Sequence, residues 1–148
     1  MTETEKENLL KLVIEEFIPF NKLIAIRVAS YDPLVLTIDN RPDLLGNALR
    51  QMLHGGVIAS LLDVIGGASL IKRYLDNNEV EDRSQVAEAL SRTATIDLRI
   101  DYLRPGIGER FTATAEIIRP GKRVTVIRMS LFNEQGTLIA VGTGTYTV

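Results

Sequence analysis

A stretch of about twenty residues, 55–75, is apolar on nearly every side of a helix, and it constrains the fold of this chain more than any other feature. At 1.5 Å per residue such a helix is about long enough to span a bilayer. Asp63, Lys72 and Arg73 interrupt it, however, and isolated charges in hydrocarbon are costly. A helix that is apolar all round in a globular domain lies in the middle of a core. We therefore expect a buried central helix and no membrane span.

Four β-like segments follow this helix, near 94–103, 109–118, 123–132 and 137–147. The turns between them are short, which predicts that consecutive strands are antiparallel neighbours. In the first segment apolar and polar residues alternate from Thr95 to Tyr102, so we expect a sheet with one wet and one dry face. Such a sheet and a fully apolar helix have one packing solution, in which the sheet wraps the helix.

The N-terminal third contains shorter elements. Apolar residues spaced by three to four predict an amphipathic helix over about 4–18, with a capping box at Thr4 and Glu7 and its end at Pro19. Two short strands, 23–28 and 34–39, and a loop over 40–47 should follow, with a further short helix at 84–91 after the central helix. We find no linker composition or repeat, so residues 1–148 are expected to form one domain.

Composition excludes several kinds of site. The chain has no cysteine and a single histidine, His54, so a disulfide framework, a Cys-ligated metal and the HExxH zinc motif are all excluded. The acidic start, Met1-Thr-Glu-Thr-Glu, is unlike a secretory signal, and we expect a cytoplasmic protein.

Charge is unevenly distributed. The net charge is −2, yet residues 92–128 hold eight Arg or Lys and four Asp or Glu. A local basic excess on an acidic protein suits a small anionic ligand better than a nucleic acid. A solvated strand face with alternating charge is the alternative.

Two stretches resemble a known family. His54-Gly-Gly-Val-Ile-Ala-Ser-Leu-Leu-Asp63 is similar to the HGG-x(6)-D signature of PaaI-type hotdog thioesterases, and the run from Thr95 to Gly106 is similar to their strand-and-turn pattern. Residues 97–114 further resemble the medium/long-chain acyl-CoA thioesterases of that superfamily. The resemblance implies an α+β hotdog fold, an antiparallel sheet around a long helix. It also implies hydrolysis of fatty acyl-CoA without metal or organic cofactor.

Two positions are the main catalytic candidates. The start of a buried helix offers free N–H groups, and Gly55 and Gly56 allow a substrate oxygen to approach them closely, although a tight turn is the alternative reading. Asp63 interrupts the apolar helix, where burial of a lone carboxylate is costly unless the group is paired or functional. A structural aspartate that caps or bonds a neighbouring backbone is the alternative. The resemblance implies that Asp63 is a general base or nucleophile.

His54 and Asp63 are nine positions apart, or about 13 Å along one helix. Groups that far apart do not act on one carbonyl, so the site uses one end only or combines two chains. The resemblance favours the second answer, with sites across a two-fold interface of a homodimer, itself expected to assemble as a dimer of dimers.

The supporting residues are less constrained. The resemblance suggests that Asn47 orients His54 or a water and that Thr95 holds the attacking water, while a turn residue and a surface threonine are the alternatives. We expect His54 to be a positioning residue, with a general acid or a structural imidazole as alternatives. Basic turn residues suited to the phosphates of coenzyme A are Arg104, Lys122 and Arg123. Two other functions stay open as hypotheses, a non-catalytic acyl-CoA-binding module and a dehydratase, although nothing here resembles a dehydratase motif.

Overall fold

The centre of the molecule is the long helix α3 (Gly55–Asn77), seen in a computed structural model that describes all 148 residues. Side chains from every turn of α3 are buried, including Leu61, Leu62 and Ile65, which are fully inaccessible. The helix has the length and hydropathy of a membrane span, and in this structure it packs against a sheet in the core. The expected central helix is confirmed.

A six-stranded antiparallel sheet wraps α3 in the order β1-β2-β6-β7-β8-β5. Its strands are β1 (Arg27–Ser30), β2 (Val35–Asp39), β5 (Thr95–Tyr102), β6 (Arg110–Arg119), β7 (Val124–Asn133) and β8 (Leu138–Thr147). A separate hairpin joins β3 (Leu45–Asn47) to β4 (Met52–Leu53) just before α3. The inner face of the sheet carries fully buried residues such as Phe111, Ile127 and Leu131. The four strands after α3 lie within two residues of the predicted bounds.

The N-terminal segment differs from the single predicted helix. It is α1 (Glu3–Lys11), a π-helical turn (Leu12–Phe17) and α2 (Pro19–Ile24). The capping box is formed by Thr2 and Glu5 rather than Thr4 and Glu7. Pro19 interrupts the helix as predicted, but it then occupies the first turn of α2, where its missing N–H costs nothing. The first strand consequently begins at Arg27 and not at residue 23.

The predicted loop over 40–47 is also more regular than expected. A 3₁₀ turn (Pro42–Leu44) leads directly into β3, and the β3–β4 hairpin brings the chain back to the start of α3. The short helix α4 (Arg83–Arg92) confirms the prediction for 84–91, with Asp82 as its N-cap.

Strand β5 is an edge strand whose apolar residues are not all covered. Ile96 is 56% exposed and Tyr102 is 53% exposed. The dry face predicted for this strand is therefore incomplete within one chain. Leu98 and Ile100 are partly buried against the core, whereas more than half of the surface of Ile96 and of Tyr102 remains exposed. An uncovered edge of this kind is a template for pairing with another strand.

Asp76, in the last turn of α3, ties the helix to the turn after β1. Its carboxylate accepts hydrogen bonds from the Tyr31 hydroxyl and from Lys72 Nζ, both at 2.7 Å. Burial alone would raise the pKa of Asp76, but the hydrogen bonds from Lys72 and Tyr31 outweigh it and lower that pKa. Lys72 also lies over the Tyr31 ring, 4.7 Å from its centroid. This cluster fixes one end of the central helix.

Candidate active site

Asp63 lies on the side of α3 that faces the sheet edge, half-buried and hydrogen-bonded. Thr95 Oγ1 donates to Asp63 Oδ1 at 2.9 Å, and the Tyr146 hydroxyl donates to the same oxygen at 3.2 Å. The second oxygen, Oδ2, has no hydrogen-bond partner within the chain. Asp63 is therefore paired and only partly buried: two hydroxyl groups hold one of its carboxylate oxygens and leave the other available.

The register of the sheet explains why both hydroxyls reach one carboxylate. Thr95 of β5 lies directly opposite Tyr146 of β8, so their side chains project from the same face. Sequence reasoning proposed Thr95 as a holder of the attacking water; here it contacts Asp63 itself. The structure thus places two of the predicted site residues, Thr95 and Asp63, in direct contact.

Tyr146 is a site residue that sequence reasoning missed. It is only 1% exposed, and burial followed by the charge of Asp63 raises the pKa of its hydroxyl well above the usual range. It therefore stays a protonated donor. A Cβ at Gly66 would overlap the Tyr146 hydroxyl, and one at Gly144 would come within 2.5 Å of its ring. Gly66 and Gly144 are the sequence signal of this close packing, because a glycine inside a helix or a strand often marks a place where a neighbouring group approaches closely.

A cleft of about 420 Å³ opens beside this carboxylate. It lies between α3, the segment around the start of α2, and the connection from α4 to β5. Apart from Asp63, Thr95 and Tyr146, its walls are mainly apolar, and the larger side chains among them are Ile14, Phe17, Ile18, Phe20, Val64, Ile71 and Leu90. The arrangement is a carboxylate and two hydroxyl groups at one side of a hydrocarbon-lined space.

The other candidate position is the first turn of α3. His54 is its N-cap, and His54 Nδ1 accepts a hydrogen bond from the Gly56 amide at 2.8 Å. The Gly56 amide is thus engaged by His54, whereas the Gly55 amide has no acceptor within the chain. The Tyr102 hydroxyl donates to the Gly55 carbonyl at 2.8 Å. His54 acts here as a cap that orders the helix start and leaves one free N–H at Gly55.

Gly55 and Asp63 are eight residues apart on one continuous helix, or about 12 Å along its axis. Strand β5 contacts both places, Asp63 through Thr95 at its start and Gly55 through Tyr102 at its end. Within one chain the structure therefore does not bring the two predicted catalytic positions together.

Asn47 lies at the end of β3 and faces its own hairpin. Its Oδ1 accepts a hydrogen bond from the Arg50 amide at 3.1 Å, which is the pattern of a turn residue. Its side chain has no hydrogen bond to His54. The turn reading, which the sequence left open, describes Asn47 in this chain.

The basic turn residues do not form one cluster. Arg104 Nη1 donates to the Leu138 carbonyl at 2.9 Å, so this guanidinium partly serves its own turn. Lys122 lines a shallow cleft with Arg73 near the end of α3, and Arg123 is exposed beside it. Neither Lys122 nor Arg123 has a carboxylate within 4 Å. The chain also contains no group of three or more His, Asp or Glu side chains arranged to hold a metal ion.

Comparison with known proteins identifies the family of this chain. The family model of the thioesterase superfamily matches residues 51–140, which include both ends of the candidate site. The Escherichia coli K12 protein YigI, named a medium/long-chain acyl-CoA thioesterase, is 44% identical over 96% of this chain and 95% of its own length.

Solved structures show the same fold. A Shewanella oneidensis protein described as related to the thioesterase superfamily superposes with a TM-score of 0.87 at 39% identity, covering 99% of both chains. The E. coli PaaI protein superposes with a TM-score of 0.75 at 21% identity, over 99% of this chain and 95% of its own. The predicted hotdog fold and PaaI-type resemblance are confirmed, and the chain belongs to the thioesterase superfamily.

Proposed function

We propose that this protein hydrolyses medium- and long-chain fatty acyl-CoA to free fatty acid and CoA. The observation that carries the proposal is the Asp63 carboxylate, held on one oxygen by Thr95 and Tyr146 and open on the other, beside an apolar cleft. Membership of the thioesterase superfamily and the likeness to YigI support the reaction and the substrate class.

In the mechanism, the thioester carbonyl oxygen accepts a hydrogen bond from the Gly55 amide at the positive end of α3, which stabilises the developing oxyanion. Asp63 Oδ2 then acts in one of two ways. As a general base it takes a proton from water as the water oxygen attacks the carbonyl carbon, the C–S bond breaks and CoA leaves as a thiolate that recovers the proton. As a nucleophile Oδ2 attacks the carbonyl carbon, the C–S bond breaks and CoA leaves as a thiolate. Water then hydrolyses the resulting mixed anhydride, which frees the fatty acid, regenerates the Asp63 carboxylate and supplies the proton that the thiolate takes up.

We further propose that the two groups come from different chains of a homodimer. The exposed edge of β5 supports this, because strands that pair antiparallel across a two-fold axis place the start of one beside the end of the other. Thr95 and Asp63 of one copy would then lie beside Tyr102 and Gly55 of the second.

The charges on β5 fit such a pairing. Asp97, Arg99 and Asp101 alternate on the strand, and an antiparallel pair centred on Leu98 sets each Arg99 opposite the second copy's Asp97. Ile96 would lose its exposure to water in the same pairing. A dimer of dimers and a cytoplasmic location belong to the same proposal.

The test is a steady-state screen of CoA esters from C4 to C18, following release of the free thiol, with Asp63→Asn beside the wild type. We expect turnover of medium and long chains and a fall in kcat of about 10² or more in Asp63→Asn, since a positioned base contributes 10²–10⁴. Thermal unfolding serves as the folding control. A folded variant with near-normal turnover would remove Asp63 from the mechanism.

The same screen separates the main alternative. A non-catalytic module would bind acyl-CoA with no thiol release by the wild type. Parallel assays with acyl-carrier-protein thioesters show which thioester carrier the enzyme prefers.

A further inference from the structure

The cleft beside Asp63 continues along α3 in the direction of its C-terminus. Gly67 and Ile71 follow Asp63 at intervals of four residues, so the three lie on one face of the helix, and all three line the cleft. Leu90 of α4 faces this side of the helix from across the cleft. An apolar chain that starts at the carboxylate would therefore run over Gly67 towards Ile71.

Gly67 lines this path between Asp63 and Ile71. A glycine inside a helix destabilises it by about 1 kcal/mol relative to alanine, so a pair of adjacent glycines calls for a reason. Gly66 has one, since a Cβ there would overlap the Tyr146 hydroxyl. A Cβ at Gly67, in contrast, would meet no atom within 4 Å. The absence of a side chain at Gly67 thus leaves space open rather than avoiding a clash.

A second, smaller cleft of about 110 Å³ begins where the first ends. It lies between the C-terminal part of α3 and α4, and apolar side chains form most of its lining. Ile71, Leu90 and Thr93 line both clefts. Ile71 and Leu90 therefore stand as a partition between a larger space next to Asp63 and a smaller one behind it.

Distances along the helix translate into chain length. Gly67 is about 6 Å beyond Asp63 and Ile71 about 12 Å beyond it. An extended chain with C–C bonds near 1.52 Å and near-tetrahedral angles advances about 1.25 Å per carbon. Gly67 then lies near the fifth carbon and Ile71 near the tenth.

We propose that the acyl chain of the substrate lies along this face of α3, that Gly67 keeps the path open beyond about the fifth carbon, and that Ile71 and Leu90 set where a medium chain ends and a long chain must enter the second cleft. This inference rests on the proposed function, because it assigns the substrate specificity of the same site.

Phe17 and Phe20 form the outer rim. They line the cleft from the π-helical turn and α2, yet remain 68% and 49% exposed. A hydrocarbon chain in the cleft would cover part of both rings, and burial of apolar area favours binding by about 25 cal/mol per Å². The rim therefore also favours an apolar occupant.

The experiment compares two variants with opposite expected effects. Gly67→Leu places a side chain in the path, and each methylene that it excludes removes up to about fourfold in binding. We expect the ratio of kcat/KM for C12 over C4 acyl-CoA to fall by 10² or more. Leu90→Ala widens the partition, and we expect the ratio for C16 over C10 to rise by about tenfold. Gly67→Ala controls for folding and should raise the melting temperature.

Binding of free fatty acids from C6 to C16, measured by calorimetry, gives a second readout that needs no turnover. If the wild type hydrolyses no acyl-CoA, the proposed function fails, while the fatty-acid series still tests the path. The inference is overturned if folded Gly67→Leu lowers kcat/KM by one common factor at every chain length, or if its fatty-acid affinities keep the chain-length dependence of the wild type.

Discussion

Two inactive variants should restore activity when they are mixed, if the site is shared between chains. Asp63→Asn removes the carboxylate, and Gly55→Pro removes the N–H offered to the oxyanion. Because the two positions are about 12 Å apart on one rigid helix, neither chain alone completes a site. Each homodimer should be inactive, whereas a mixed dimer has one site with both lesions and one with neither.

The expected magnitude follows from counting. Equal amounts of the two variants, allowed to reassort at random, give about half mixed dimers, and half of the sites in those dimers are intact. Activity should therefore return to about a quarter of the wild-type value when the sites are independent. Differently tagged chains allow mixed dimers to be isolated, and thiol release from acyl-CoA measured per isolated mixed dimer should reach about half of the wild-type value.

The structure supports the choice of proline at residue 55. Gly55 is the first residue of α3, where proline is well tolerated, and the preceding His54 has the extended backbone that a following proline requires. A Cβ at Gly55 would lie 3.4 Å from the Tyr102 ring, an ordinary contact. Gly55→Ala keeps the N–H and controls for this contact. Isolated mixed dimers that show no activity would refute the shared site, and each chain would have to hold a complete one.

Three other variants test neighbouring parts of the structure. Tyr146→Phe removes one donor to Asp63, and we expect kcat to fall about tenfold; an unchanged kcat in the folded variant would make Tyr146 purely structural. Arg104→Ala and Arg123→Ala should raise KM for acyl-CoA more than for the acyl-pantetheine thioester, and equal effects would argue against phosphate binding. Asp76→Asn should lower the free energy of unfolding by about 1–2 kcal/mol at pH 7. Since the pKa of Asp76 is lowered in the folded chain, this difference should be present above about pH 4 and disappear as the pH falls further, as urea unfolding at several pH values would show.

Hydrophobic periodicity was sufficient to predict the central helix and the four strands that follow it, because burial on one face or on all faces leaves a regular pattern. Periodicity failed where the local backbone structure or the exposure of a side chain depends on packing against other parts of the molecule. The N-terminal helix breaks at Ile18 and resumes at Pro19, and a proline alone does not distinguish the end of one helix from the first turn of the next. The exposure of Ile96 was not predictable either, because the alternation of apolar residues in a strand does not show whether the same chain or a second one covers its apolar face.

The candidate site shows the same division. Asp63 was identifiable because a charge in an apolar run is rare, and its neighbour Thr95 was identifiable from the family pattern. Tyr146 follows Asp63 by 83 residues, and only the antiparallel register of β5 and β8 places its hydroxyl on the carboxylate. A tyrosine in the last strand carries no local signal of this contact. Gly66 and Gly144 are evident in the sequence, but the sequence does not show that both of them make room for the Tyr146 side chain.

The capping contact of His54 decides which tautomer the imidazole adopts. Nδ1 accepts a hydrogen bond from the Gly56 amide, so in the neutral ring the proton resides on Nε2. The exposed edge of the ring is then a donor and not an acceptor, and His54 has no free lone pair with which to deprotonate water. Whatever group approaches this edge, a substrate carbonyl or a second chain, must offer an acceptor.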